Sequence, residues 1–229
     1  EIFANIFKDI ILNSPDDLTR AYSFLLSKVG PEYKSPELGI GNENLVKSLS
    51  KAIGKSEKWI KERTTELGDL GLVAQDGKKS VVTMDKFNFS KAEKKPLTLK
   101  QVMDSLLNLA NIKGKQSYAE KEKILVKLMF AADKDELKFI VRSLQKSLKI
   151  GASFKTIISS LSRAVSKLNK MPEKEIERIL LISINQLADY ELVMNNLINC
   201  VNTDFNKLTE LCKITPGIPL KPQLARPTT

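Results

Sequence analysis

Apolar residues recur along this chain at spacings of three and four, the period of a helix buried along one face. After Asp133 the stripe is Leu137, Ile140, Val141, Leu144 and Leu148, at i, i+3, i+4, i+7 and i+11. Phe154, Ile157, Ile158, Leu161, Val165 and Leu168 form a second, and Ile176, Ile179, Leu180, Ile184 and Leu187 a third. Start signals precede these runs. Ser14-Pro15-Asp16-Asp17 sets an N-cap, a proline and two acids ahead of a helix predicted to reach about Val29, where Gly30-Pro31 breaks it. Ser56, Thr98 and Ser153 read as caps, and Ser117-x-x-Glu120 and Asp133-x-x-Glu136 have the spacing of capping boxes. Helices are also predicted from the N-terminus, over 43–53 with Gly54 as stop, over 56–67 with Trp59 and Ile60 inward, from Pro172, over 189–200 and over 203–213. Residues 31–42 read as a loop, 68–73 as a tight exit, and 75–96 as an irregular, lysine-rich excursion with a weak strand-like run at Val81-Val82-Thr83.

The pattern therefore predicts an all-α fold, a compact multi-helix domain of about ten or eleven helices over residues 1–213. An extended connector follows at 214–229, where four prolines between 216 and 227 forbid a helix.

Composition narrows the chemistry. No apolar run approaches the roughly 20 residues of a membrane span. The first residues read as helix without a basic signal region, as at a fragment boundary. The chain has no histidine, which removes Ser-His-Asp and Cys-His catalysis and the common zinc constellations. Cys200 and Cys212 stand in helical apolar contexts without a CxxC, so buried free thiols in a reducing compartment are expected. Gly39-Ile40-Gly41 lacks the third glycine and the preceding strand of a dinucleotide fingerprint, and no phosphate-loop motif occurs. Asp133, Asp135 and Glu136 read as a helix start rather than a metal site. The chain is expected to hold no catalytic residue, metal or cofactor.

Charge is uneven. The net is +10, yet residues 112–175 alone hold 15 Lys/Arg against 7 Asp/Glu, a net of +8. Such a concentration fits a polyanion partner, because each lysine placed on a phosphate releases a condensed counterion. A solvated lysine-rich face is the other reading. Two interhelical links inside this third, Ile112–Ser117 and Arg142–Ser153, combine basic side chains, a glycine and a helix start with free backbone N–H groups. That is the chemistry of an anion site without sequence preference, with ordinary solvated loops as the alternative.

Five blocks then occur in order: "ELGIG" at 37–41, "LGDLGLVAQ" at 67–75, "LTLKQV" at 97–102, "FIVRSLQKSLKIGAS" at 139–153 and "PGIPLKPQLARPT" at 216–228. They resemble the helical N-terminal DNA-binding domain of eukaryotic-type ATP-dependent DNA ligases, the replicative type included, over close to the whole chain. The resemblance implies a domain astride the minor groove of nicked duplex DNA, with no sequence preference. There it helps the nucleotidyltransferase and OB-fold domains encircle the duplex for nick sealing in replication, repair and recombination. In the family an adenylated lysine follows the last block in a Lys-x-Asp-Gly-x-Arg motif. This chain ends before one, so ATP and Mg²⁺ are expected to belong to the parent enzyme and the connector to lead into its nucleotidyltransferase domain. The resemblance further implies a nuclear location and contact with the sliding clamp. Together with the basic, glycine-containing links, it points to Lys113, Lys115, Ser117, Arg142, Lys146, Lys149, Gly151 and Lys155 on phosphate or sugar. The family's Gly-Lys-Leu-Arg-Ile-Gly run stands here as Lys146–Gly151, with its first glycine lost and its arginine replaced by Lys149, which keeps charge but not the planar fork. The alternative is a HEAT-like helical scaffold that binds an acidic protein.

Overall fold

Most helix ends in this protein are set by residues within one turn of them. The structure, a computed structural model, describes residues 1–34, 37–85, 96–114 and 117–220; of Glu32 and residues 79–85 it describes the backbone alone. Its helices begin with α1 (Ile2–Asn13), α2 (Leu18–Leu25), α3 (Asn42–Ile53), α4 (Glu57–Leu67), α5 (Leu70–Asp85) and α6 (Leu99–Asn111). They continue with α7 (Ser117–Ala131), α8 (Lys134–Leu144), α9 (Phe154–Asn169), α10 (Glu173–Gln186), α11 (Tyr190–Val201) and α12 (Lys207–Leu211). No strand occurs among the described residues, so the all-α expectation holds.

The caps show why. Ser56 Oγ accepts the Trp59 N–H at the start of α4, and Gly54 and Gly68 close α3 and α4 in left-handed conformation, at φ +67° and +65°. Complete capping boxes open α6 (Thr98 with Gln101) and α8 (Asp133 with Glu136). Ser153 Oγ accepts the Thr156 N–H in α9, and Asp189 accepts the N–H groups of Glu191 and Leu192 in α11.

The described residues fall into two compact units. One comprises residues 1–36 and 150–229. Its core joins Phe7, Leu18 and Tyr22 to Ile157, Leu161, Ile176, Leu180, Val193, Leu197 and Phe205, all fully buried. The α1 helix lies on α9, α9 on α10, and α11 on α2 and α12. Cys200 and Cys212 are buried free thiols there, and burial pushes both thiol pKa values up.

The other unit comprises residues 37–149, helices α3 to α8. Its most extensive helix pairing is α5 against α8, and α3 packs on α7. Leu49, Ile60, Val73, Leu109, Met129, Leu137 and Val141 are fully buried in it.

Several expectations are corrected. Residues 70–85 are helical, not an exit followed by an irregular, partly strand-like run. Leu70, Val73, Ala74, Gly77 and Lys78 are all buried, at the i, i+3, i+4, i+7 and i+8 positions of one face. A glycine and a lysine in that stripe mask the apolar period. A Cβ at Gly77 would press on the tip of the Ile53 side chain. Lys78 is there because its ammonium donates to the Phe130 and Met129 carbonyls at 2.8 and 3.3 Å, at the negative end of α7. The rest of the expected excursion, residues 86–95, lies outside the described residues.

Helix α2 ends at Leu25 instead of Val29, since Ser27 turns left-handed (φ +52°) and the Lys28 N–H reaches back to the Ser23 carbonyl. Ser14 makes no side-chain cap; Pro15–Asp17 form a 3-10 turn instead. Helix α8 stops at Leu144, yet Leu148 beyond it is still buried. Phe154, placed inward by the pattern, is 38% exposed at the first position of α9. The expected 203–213 helix shrinks to α12, because the Asp204 carboxylate holds a turn at the Asn206 N–H. Residues 214–220 are non-helical, and 221–229 lie outside the described residues.

Candidate nucleic-acid interface

The end of α8 gathers three of the candidate residues within one unit. The helix closes in a Schellman motif: the Lys146 N–H donates to the Ser143 carbonyl at 2.9 Å and the Ser147 N–H to the Arg142 carbonyl at 3.0 Å. That motif needs a left-handed residue, and Lys146 supplies it at φ +59°. Lys149 is left-handed as well, at φ +52°. Both lysines are exposed on this turn.

Arg142 is not on offer to a phosphate. It is buried, and its Nε and Nη2 donate to Asp69 Oδ2 at 3.1 and 2.7 Å, while Nη1 donates to the Leu148 carbonyl at 3.2 Å. Its guanidinium is held in an internal ion pair. The fork geometry explains the choice: the Asp69 carboxylate oxygen and the Leu148 carbonyl lie in directions one planar guanidinium reaches at once. Lys149 occupies a middle state, with Nζ on the Gly68 carbonyl at 3.1 Å and 3.6 Å from Asp69 Oδ2, and its side chain 45% exposed. A glutamate there would set a second carboxylate beside Asp69, so charge reversal at 149 would disturb folding along with any binding. Lys146 is the cleaner position to vary.

Asp69 is the residue that sequence reasoning missed. It lies in the "LGDLGLVAQ" block, where both glycines and the acid have a role. Gly68 ends α4, Asp69 Oδ1 accepts the Gly71 N–H at 2.8 Å to start α5, and Gly71 lets α5 close on α8. The available signal was an acid directly after a helix-ending glycine, followed two residues later by another glycine.

Burial opposes ionisation of Asp69. The hydrogen bonds from Arg142 and Gly71 and the charges of Arg142 and Lys149 outweigh it, and its carboxyl is held below the ordinary range. The folded state thus binds the proton less well than the unfolded chain. Its contribution to stability is present above the unfolded value of about 3.9 and is lost as pH falls through the folded value. In urea titrations followed through the acid range, wild type should lose stability more steeply below about pH 4 than Asp69→Asn does. Parallel acid limbs would show that Asp69 titrates unperturbed.

The second link carries less. Lys113 is exposed and follows the C-cap of α6. Gly114 stands at φ +110° with nothing within 4 Å of a built Cβ. Ser117 is the first residue of α7, not its cap, and its N–H is already donated to the Gly114 carbonyl at 3.2 Å. Lys115 lies outside the described residues.

Gly151 and Lys155 belong to the other unit. Gly151 is left-handed (φ +68°) and open, with nothing within 4 Å of a built Cβ. Lys155 is exposed in the first turn of α9, where the Phe154 and Lys155 amides precede the first intrahelical bond, from the Ile157 N–H to the Ser153 carbonyl. Other charges of the basic third are committed elsewhere. Arg163 pairs with Glu173 and Glu1, Lys167 with Glu1, and Lys121 donates to the Leu38 carbonyl. Among the described residues no group of three or more His, Cys, Asp or Glu side chains is placed to hold a metal ion. Nor, among the described residues, is any helix long and apolar enough to cross a membrane.

Against known proteins, the family described as DNA ligase N terminus matches residues 1–162. DNA ligase 1 of Dictyostelium discoideum is 32% identical over 250 residues, covering 100% of this chain and 20% of the relative. DNA ligase 1 of Saccharomyces cerevisiae is 33% identical over 240 residues, covering 99% and 30%. A DNA ligase of the archaeon Ignicoccus hospitalis is 29% identical over 225 residues, covering 98% and 36%. The chain spans between a fifth and about a third of the length of these relatives.

Proposed function

The chain belongs to the DNA ligase N-terminal family, and from that premise we propose that it is the part of an ATP-dependent ligase that grips nicked duplex DNA. Grip is through sugar and phosphate in the minor groove, without sequence preference, as a nick-sealing enzyme of replication and repair requires. ATP, Mg²⁺ and the joining reaction belong, on this reading, to the remainder of the enzyme, which the 214–229 connector leads toward. The location is nuclear. Contact with a sliding clamp remains part of the proposal.

The observation that carries the reading is the left-handed turn after α8, which presents Lys146 and Lys149 outward from a rigid helix end. Lysines on a rigid turn satisfy phosphates with little loss of backbone entropy on binding. Lys113, Gly151 and Lys155, exposed on their own links, are assigned to the same task.

Fluorescence anisotropy of nicked duplex titrated with this chain at three salt concentrations tests it. Affinity should fall with salt by a slope of roughly four to eight charges, each contributing about 0.9. Lys146→Gly should reduce that slope by about one charge. It should also leave thermal stability unchanged or raised by up to about 1 kcal/mol, because glycine adopts the left-handed conformation without strain. No binding at low salt, or binding indifferent to salt, would remove the reading.

A scaffold for an acidic protein is the second reading. An open groove of about 550 Å³ on α3 and α7 favours it, where Lys123, Lys127 and the Lys51–Glu122 ion pair flank Val126 and Phe130. Phosphates have no use for the apolar floor, so loss of DNA binding would transfer weight to this groove.

A further inference from the structure

Asp69 sets a carboxylate behind the turn that carries Lys146 and Lys149. Long-range electrostatics alone would favour its absence, since a negative charge there lowers the potential that draws in a polyanion. Yet the carboxylate is tied to that turn at several points. Its Oδ2 takes two hydrogen bonds from Arg142, whose Nη1 holds the Leu148 carbonyl inside the turn at 3.2 Å. Lys149 Nζ stands 3.6 Å from the same oxygen and donates to the Gly68 carbonyl one residue away. Oδ1 is anchored in turn by the Gly71 N–H, at the first turn of α5. The turn needs such a hold. Two lysines in left-handed conformation are unfavourable, and conformations of that kind persist only where the surroundings over-determine them.

We infer that Asp69, acting through Arg142, is a positioning residue that holds Lys146 and Lys149 in the geometry presented to the DNA backbone. The inference rests on the duplex-binding reading above. It has a consequence opposite to simple charge counting: removing an acid from a basic surface weakens binding to a polyanion.

The test uses the 229-residue chain on nicked duplex at three salt concentrations, comparing wild type, Asp69→Asn, Arg142→Lys and the pair Lys146→Gln with Lys149→Gln. The lysine pair is also combined with Asp69→Asn. Circular dichroism and a thermal melt establish that each variant is folded at the assay temperature. Asp69→Asn should bind at least about tenfold more weakly despite its added net charge, with a salt slope lower by one to two charges at about 0.9 each. The lysine substitutions should cost wild type much and Asp69→Asn little more, because contacts already misplaced cannot be lost again. Arg142→Lys, which keeps the charge but not the fork, should behave like Asp69→Asn. A folded Asp69→Asn that binds as tightly as wild type with an unchanged slope overturns the inference, and so do lysine losses that add in full to it. Should Asp69→Asn not fold, Arg142→Lys decides by the same criteria. Wild type without salt-dependent binding defeats the duplex reading itself, whereas binding wild type with an indifferent Asp69→Asn defeats the positioning role alone.

Discussion

Replacing Arg142 by Met should lower the unfolding free energy of the 37–149 unit by about 3–5 kcal/mol, the usual cost of removing one partner from a buried ion pair. The guanidinium is the group that neutralises Asp69, whose side chain is only 6% exposed. Without it the carboxylate stays buried with the Gly71 N–H and a more distant Lys149, and the Leu148 carbonyl loses its donor. Removing both charges should cost much less. An Asp69→Leu/Arg142→Met double variant leaves no uncompensated charge and adds apolar contact, so it should recover most of the loss. Trp59, the only tryptophan in the chain, lies on α4 in this unit and reports its unfolding by fluorescence in urea. A single-variant loss below about 1 kcal/mol would place the pair among weakly coupled surface ion pairs.

Gly71→Ala should cost about 3 kcal/mol, at the upper end of what overpacking costs. A Cβ at residue 71 would lie 2.7 Å from Arg142 Cγ and 2.8 Å from the Lys138 carbonyl oxygen. The arginine stem cannot swing aside, because its head is fixed on Asp69 and Leu148. The carbonyl is backbone of α8 and has no rotamer to change. Relief therefore requires α5 to withdraw from α8, loosening the most extensive helix pairing of the unit. Gly41→Ala is the matched control. Gly41 has ordinary φ (−73°) and nothing within 4 Å of a built Cβ, so its change should stay below about 1 kcal/mol. The comparison is read as urea midpoints at equal m-values. Equal losses at 71 and 41 would show that α5 tolerates a shift from α8.

Much of the fold was legible because its signals are short. Thr98 with Gln101 and Asp133 with Glu136 close their capping boxes across three residues, and the apolar stripes of α8 to α10 repeat within two turns. Both kinds of pattern act through neighbours in sequence, so local chemistry suffices to read them. The failures share the opposite property. Helix α5 was hidden because Gly77 and Lys78 replace apolar residues in its buried stripe, for reasons held by Ile53 and the end of α7. Ser117 satisfies every local rule for a cap, yet α7 includes it.

The candidate site divides along the same line. Basic residues, helix ends and glycines marked the turn after α8 as an anion site, and the ordered blocks marked the family, because composition and motif order are properties of the chain. Which of those cations face outward is not. Arg142, Lys146 and Lys149 read alike in sequence, but Asp69 approaches from 73 residues away and takes Arg142 inward, tethers Lys149 and leaves Lys146 exposed. A buried carboxylate must be neutralised, and a fork that satisfies it bidentately does so better than a point charge. The sequence alone therefore determined most of the helices, the basic third and the family; only the packing of α5 on α8 decided which charges remain for a partner.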